Sequence, residues 1–260
     1  MNKVLAHLKR YNPYAMYAAK SGLKSEVANS YLSWIWWILD PLFFMVIYTF
    51  IVQIVFQTQQ PYLPVFVFIG LLIWNFFSKS VNTSVNIIAA SKGIVRKIYI
   101  PKYMLVLTKM YINAAKLAIS YLLLFVLATV FQVTFTWNIL YTIPLILLTF
   151  LFTFGFSTMA AHFGVFISDL ANVMQIVLRL MFYMSGIFFS VSQRIPEMYA
   201  AIMLRINPVA YIIEDFRNVF LYGRGLTWDI FIYWAVISLI LTVVAIRTIY
   251  KHENTYAKVI

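Results

Sequence analysis

The sequence contains no cysteine, three histidines and eight acidic residues. The absence of cysteine removes disulfides, thiolate metal sites and cysteine nucleophiles. The histidines at 7, 162 and 252 are far apart in sequence and define no site by spacing. The acids form no cluster on any one loop, so neither a metal site nor a carboxylate pair is expected. Eight glycines, at 22, 70, 93, 155, 164, 186, 223 and 225, never arrange as G-x-x-x-x-G-K-[ST], which excludes ATP hydrolysis by a phosphate-binding loop on this chain. H-E-x-x-H and G-x-S-x-G are missing as well. No catalytic residue is assigned, and a transport or channel component is favoured over an intramembrane enzyme.

Charge is missing over long distances. Pro41 to Ser78 is a run of thirty-eight residues without a charged side chain, and Leu117 to Ser168 is a run of fifty-two. The chain is 63% hydrophobic and 11% charged, against about 45–50% and about 25% in soluble domains. A bilayer core about 30 Å thick takes ~20 residues of helix, so each run holds more than one crossing. Gln57 to Pro61 divides the first run, and Gln132 to Asn138 with Pro144 divides the second. Segments such as Tyr121-Leu-Leu-Leu-Phe-Val-Leu do not alternate apolar with polar residues, as barrel strands would. The expected fold is an all-α membrane protein, a single domain over 1–260 with six transmembrane helices at 35–56, 62–90, 103–131, 139–167, 171–189 and 228–250. The polar, basic N-terminal thirty residues offer no signal-peptide core.

Lysine and arginine mark the cytoplasmic side of spans. Residues 1–34, 79–116 and 247–258 hold 15 of the 20 basic residues, and the loops at 57–61 and 132–138 hold none. Six alternating spans put those three segments on one side, so both termini are expected in the cytoplasm. The net charge of +12 is therefore an orientation signal and not a nucleic-acid footprint.

Asn12-Pro13 carries the residues of a helix start, followed by Met16, Ala19, Leu23, Val27 and Tyr31 at helical spacing. Too polar to cross, 12–31 reads as an amphipathic interface helix with Lys20 and Lys24 beside its apolar stripe. Pro196 and Asn207-Pro208 open two short helices within 194–224, closed by Gly223. Both are too short to span, so they are read as outer re-entrant helices, with Glu214 and Arg217 at i,i+3 spacing. Arg179 lies ten residues past Asp169, about 15 Å along a helix, at mid-bilayer depth. Such a group is a functional candidate, with structural pairing, for example to Asp40, as the alternative. Asp40 precedes Pro41 and suits a capping or hinge role. His162 suits a helix-packing hydrogen bond.

Three stretches together resemble the membrane subunits of ABC-2-type polysaccharide exporters, especially teichoic-acid and O-antigen permeases. Tyr31-Leu32-Ser33-Trp34-Ile35-Trp36 with Pro41 is similar to Y-L-G-x-L-W-x-x-x-x-P. Arg96-Lys97-Ile98-Tyr99-Ile100-Pro101-Lys102 is similar to R-K-x-x-x-P-[KR]. Asn207 to Arg217 matches N-P-x-x-Y-x-x-E-x-F-R. Ser33 stands where the family has glycine, and Ser168-Asp169-Leu170 where R-D-[LV] is common.

The resemblance implies a homodimeric permease in the bacterial cytoplasmic membrane, paired with two copies of a separate subunit that binds ATP and Mg. The chain itself would bind no cofactor. Its substrate would be a polyprenyl-pyrophosphate-linked polymer, moved from the cytoplasmic to the outer leaflet. Wall teichoic acid is the first choice, with O-antigen, capsular polysaccharide or a small hydrophobic compound as alternatives. It also implies an ATPase-coupling segment at 91–102, with Arg96, Lys97 and Tyr99, joined by the turn at Asp169. Aromatic rings suit the C–H faces of sugars, so Trp36, Phe43, Phe44, Phe182 and Tyr183 with Arg179 are expected to line the route, and Lys20 and Lys24 to recruit the headgroup.

Overall fold

The computed structural model describes residues 2–28, 33–55, 57, 60–95 and 99–259, whose regular structure is all helical with no strand among them. Of the residues named above, Tyr31, Leu32, Arg96, Lys97 and Ile98 lie outside the described residues. The elements are α1 (Asn2–Ala28), α2 (Ser33–Phe50), α3 (Leu63–Val85), the single turns α4 (Ile87–Ala90) and α5 (Lys92–Val95), and α6 (Tyr103–Val130). After them come α7 (Thr142–Phe166), α8 (Leu170–Met184), α9 (Val191–Arg194), α10 (Glu197–Ile206), α11 (Pro208–Phe220), α12 (Trp228–Lys251) and α13 (Glu253–Val259).

Among the described residues, five helical stretches are long and apolar enough to cross a membrane: Trp34–Val55, where α2 continues into a π-turn, Leu63–Val85, Tyr103–Val130, Trp137–Phe166 and Trp228–Lys251. The sixth expected span is shorter. α8 has 15 residues, about 22 Å of helix, and stops at Met184 because the carbonyls of Gly186, Ile187 and Phe189 turn inward to meet Arg217.

α3 is the central helix, 78% buried along its apolar window against 17–44% for the other four. Phe66, Phe68, Ile69, Ile73 and Phe77 pack with Leu124 of α6, Leu148 and Phe152 of α7, and Phe216 and Phe220 of α11. α7 and α12 meet through small side chains, with Gly155 against Thr242 and with Ser157, Thr158 and Ser238 all buried. Lipid tails are as apolar as leucine, so close backbone approach across small residues is what joins helices in a bilayer.

α1 begins at Asn2, ahead of the expected Asn12-Pro13 start. Asn12 lies inside the helix and so does not cap its start; its carboxamide oxygen accepts a hydrogen bond from the Tyr111 hydroxyl at 2.6 Å. The face of α1 that packs on α6 is Ala15, Ala19 and Gly22, while Met16 is 59% exposed. Small residues let α1 lie close to α6, which leaves the larger apolar side chains facing outward.

Two ends of the bundle are distinct. At one, Gln60 donates to the Tyr222 hydroxyl at 3.0 Å, and Asn138 donates to the Gly223 carbonyl at 2.6 Å. Gly223 has φ +60°, a backbone region that glycine enters without steric strain. At the other end, His7 contacts the Tyr250 hydroxyl, Tyr99 donates to Glu253 at 3.1 Å, and Lys102 pairs with Glu253 at 3.2 Å. The first and last helices thus share one end with the 99–102 segment.

Candidate functional site

The Asn207–Arg217 motif builds an anchor. Asn207 caps α11, its side chain accepting from the Val209 and Ala210 amides at 3.0 and 3.2 Å. Its amide donates back to Ser185 Oγ at 3.1 Å. One turn on, the Tyr211 hydroxyl donates to Asp215 at 2.9 Å, and Asp215 also accepts from the Thr227 amide and hydroxyl at 3.0 and 2.8 Å. Glu214 takes the Ser190 hydroxyl at 2.5 Å and the Val191 and Ser192 amides at 3.2 Å each, holding the start of α9.

Arg217 is fully buried, 4.0 Å from Glu214 and with its guanidinium 3.4 Å over the Phe66 ring. It donates to the carbonyls of Phe66, Gly186, Ile187 and Phe189 at 3.1, 2.7, 2.6 and 3.3 Å. A flat guanidinium with five donors satisfies that many carbonyls where an ammonium cannot. Gly70 makes room for it, since a Cβ there would stand 2.9 Å from Nη2. The motif therefore fixes the short α11 against α3 and the end of α8.

Beside this anchor, Arg179 lines a groove of about 280 Å³ with Trp74, Ser78, Asn82, Gln175, Leu178 and Phe182. Among the described residues no carboxylate pairs with it. Asp40, the expected alternative partner, is bonded instead to Lys79 at 3.5 Å. Asp40 also sits within α2 and not at its start, so a capping role is excluded by its position.

Rings from α2, from α3 and α8 and from the turn after α8 form a connected chain. Phe44 stacks at 6.2 Å on Tyr48, Tyr48 at 3.9 Å on Phe188, and Phe188 contacts Phe182 at 5.3 Å. Phe182 in turn contacts Trp74 at 5.4 Å and Tyr183 at 5.4 Å. Of the expected aromatic residues, Phe182 shares the groove with Arg179, while Phe44 and Tyr183 connect to it only through other rings. Phe43 takes no part in this chain of rings among the described residues. Tyr48 and Trp74 belong to it and carried no sequence signal beyond being aromatic.

Trp36 lies elsewhere, in a cavity of about 250 Å³ shared with Trp37, Asp40, Asn75, Lys79, Asn113 and Lys116. A second hollow of about 230 Å³ adjoins it through Lys79, Asn113 and Lys116, and adds Glu26, Asn82, Thr83 and Lys109. Lys20 and Lys24 are exposed on α1, off the face that packs on α6. Glu26, not a lysine, is the charged residue of α1 that enters this cleft.

Of the expected coupling residues, Tyr99 is exposed and held to α13 by Glu253, with burial and then Glu253 pushing its hydroxyl up to about 12, so it remains a donor. Asp169 is exposed at the N-terminal end of α8 without a capping bond. Sequence reasoning missed the clasp that Lys102 and Glu253 make. It also left the histidines ungrouped, whereas the His162 and His252 rings lie 5.0 Å apart. His162 accepts or donates to the Tyr256 hydroxyl at 2.6 Å, a packing bond between α7 and α13.

The sequence profile of the ABC-2 type transporters matches residues 17–221, from α1 through the anchor. The chain belongs to the ABC-2 type transporter family. The permease is 28% identical over 239 residues to the O-antigen export system permease protein RfbA of Klebsiella pneumoniae, covering 92% of this chain and 91% of that one. It is 24% identical over 220 residues to the protein of the same name from Myxococcus xanthus, covering 85% of each. In family terms the anchored α11 and the Arg179 groove are parts of one membrane transport domain.

Proposed function

We propose that this permease is the membrane subunit of an ATP-driven exporter that carries a polyprenyl-pyrophosphate-linked cell-surface polysaccharide from the cytoplasmic to the outer leaflet. The observation that carries this reading is the Arg179 groove, a cation flanked by the amides of Asn82 and Gln175, the Ser78 hydroxyl and the rings of Trp74 and Phe182. A polymer with apolar C–H faces, many hydroxyls and a charged lipid end matches such a lining. The names of the relatives favour an O-antigen type of polymer over wall teichoic acid.

The energy source is a separate ATP- and Mg-binding subunit, because the sequence holds no phosphate-binding loop. Two copies of each subunit, cytoplasmic termini and residence in the bacterial cytoplasmic membrane complete the reading. Arg96, Lys97, Tyr99 and Asp169 dock the ATPase in it, and Lys20 and Lys24 gather headgroups at the inner surface. Phe44, Phe182 and Tyr183 border the route, with Trp36 and Phe43 at its margins.

The test is Arg179→Gln in cells carrying the whole transporter. Surface polymer should fall several-fold while subunit assembly and basal ATP hydrolysis stay at the unaltered level. Normal surface polymer would remove Arg179 from the route, and lost assembly would make it a structural residue.

A further inference from the structure

Three lysines come to one cleft from two helices, Lys79 from α3 and Lys109 and Lys116 from α6. The two carboxylates among them come from other helices. Asp40 of α2 lies 3.5 Å from Lys79, and Glu26 of α1 lies 2.6 Å from Lys116. Lys109 has no ion-pair partner among the described residues. The floor is polar and buried: Asn113 is 8% exposed and donates to Ser80 Oγ at 3.1 Å. Trp37 lies 5.2 Å under the Lys116 ammonium. α1 closes one side, with Gly22 packed on Ile112, itself part of the cleft wall.

α3 links this cleft to Arg179. Asn75, Ser78, Lys79, Asn82 and Thr83 recur at three- and four-residue intervals on an otherwise buried helix, and so form one polar stripe. Asn75 and Lys79 face the first cavity, Asn82 and Thr83 the second, and Ser78 and Asn82 the Arg179 groove. Asn82 therefore stands on both sides of the junction.

We infer that Lys79, Lys109 and Lys116 form a binding cleft for a diphosphate, in which Asp40 and Glu26 hold two of the lysines in place until the anion displaces them. Ammonium groups paired to partly exposed carboxylates exchange partners at little cost, whereas a diphosphate offers more negative oxygens to all three at once. The stripe on α3 then continues the path toward Arg179. This assignment rests on the export reading for its ligand, which is the headgroup of a lipid-linked substrate. A soluble diphosphate presents the same chemistry.

The full-length permease in phosphatidylcholine nanodiscs would be titrated calorimetrically with inorganic pyrophosphate and, separately, with geranylgeranyl diphosphate, using empty discs as blanks. Lys79→Gln with Lys116→Gln should weaken binding at least ten-fold, and Lys79→Arg with Lys116→Arg should keep it within about two-fold. Glu26→Gln with Asp40→Asn should tighten it, an outcome that ion pairs serving only to hold helices together would not give. Tighter binding of the isoprenyl probe with the same lysine dependence would assign the cleft to a lipid headgroup, and equal binding of both probes to a soluble diphosphate. Unchanged affinity in the Lys→Gln variant, or weaker affinity in the carboxamide variant, would overturn the cleft. Neither result touches the export reading, which is decided by surface polymer.

Discussion

At the scale of single residues, Arg217 and Glu214 carry the most. Four backbone carbonyls and one carboxylate surround a guanidinium with no access to water. Removing one partner of a buried pair leaves the other uncompensated, which costs about 3–5 kcal/mol. Arg217→Lys keeps the charge but cannot reach the carbonyls of both Phe66 and the 186–189 turn. It is expected to destabilise the permease by about 2–3 kcal/mol, on the scale of one or two buried groups left unsatisfied. Arg217→Met should exceed that, because it strands Glu214 as well. Glu214→Gln keeps one acceptor oxygen for Ser190 and should fall between the unaltered protein and Arg217→Met. Thermal unfolding of the purified permease would rank the three. A midpoint for Arg217→Lys equal to that of the unaltered protein would contradict the anchor.

At the scale of elements, α3 is gripped on several sides, and the glycine positions report how tightly. A Cβ at Gly70 would stand 3.1 Å from the Ile187 backbone as well as 2.9 Å from the Arg217 guanidinium, while a Cβ at Gly93 meets nothing within 4 Å. Gly70→Ala should cost about 1–3 kcal/mol, as overpacking does. Gly93→Ala lies in the turn α5 and should be neutral or stabilising by up to about 1 kcal/mol, since alanine favours helix. The difference between the two midpoints is the measurement. The helices themselves are legible in the sequence, because runs free of charge, divided by polar residues with Pro61 and Pro144, leave few alternatives in a bilayer. The end of α8 is not legible, because what stops it is a set of carbonyls bonded to an arginine some thirty residues later, and carbonyls carry no sequence signature. The lysine cleft is hidden for a related reason. Glu26, Asp40, Lys79 and Lys116 lie on four different helices, and each alone reads as an ordinary positive-inside or interfacial charge. Arg179 is legible as an isolated charge in an apolar helix, but its neighbours Ser78, Asn82 and Trp74 are supplied by α3 and not by its own segment.

At the scale of the whole molecule, the charge pattern and the contacts describe the same two ends. α9 and α10 pack on each other and on α11, whose chain runs on to the loop at Gly223, and these segments carry few of the basic residues. α1, the 99–102 segment and α13 lie together at the end where the basic residues gather, joined by His7 with Tyr250 and by Glu253 with Tyr99 and Lys102. Basic residues resist translocation and favour the anionic inner leaflet, so the second end should face the cytoplasm. The absence of native cysteine makes this directly measurable, because every label then reports one introduced position. Cysteines replacing Thr134 and Gln193, both exposed at the first end, should react with a membrane-impermeant maleimide in intact cells. Cysteines replacing Lys92 and Asn254, exposed at the other end, should react only after permeabilisation. Labelling of Lys92→Cys from outside would invert the orientation and set the lysine cleft in the outer leaflet, where a lipid-linked polymer awaiting export would not be met. Labelling of Gln193→Cys from outside together with protection of Asn254→Cys would fix an odd number of crossings between α9 and α13. Among the described elements between them only α12 is long and apolar enough to make one, which leaves α10 and α11 as helices that enter without crossing.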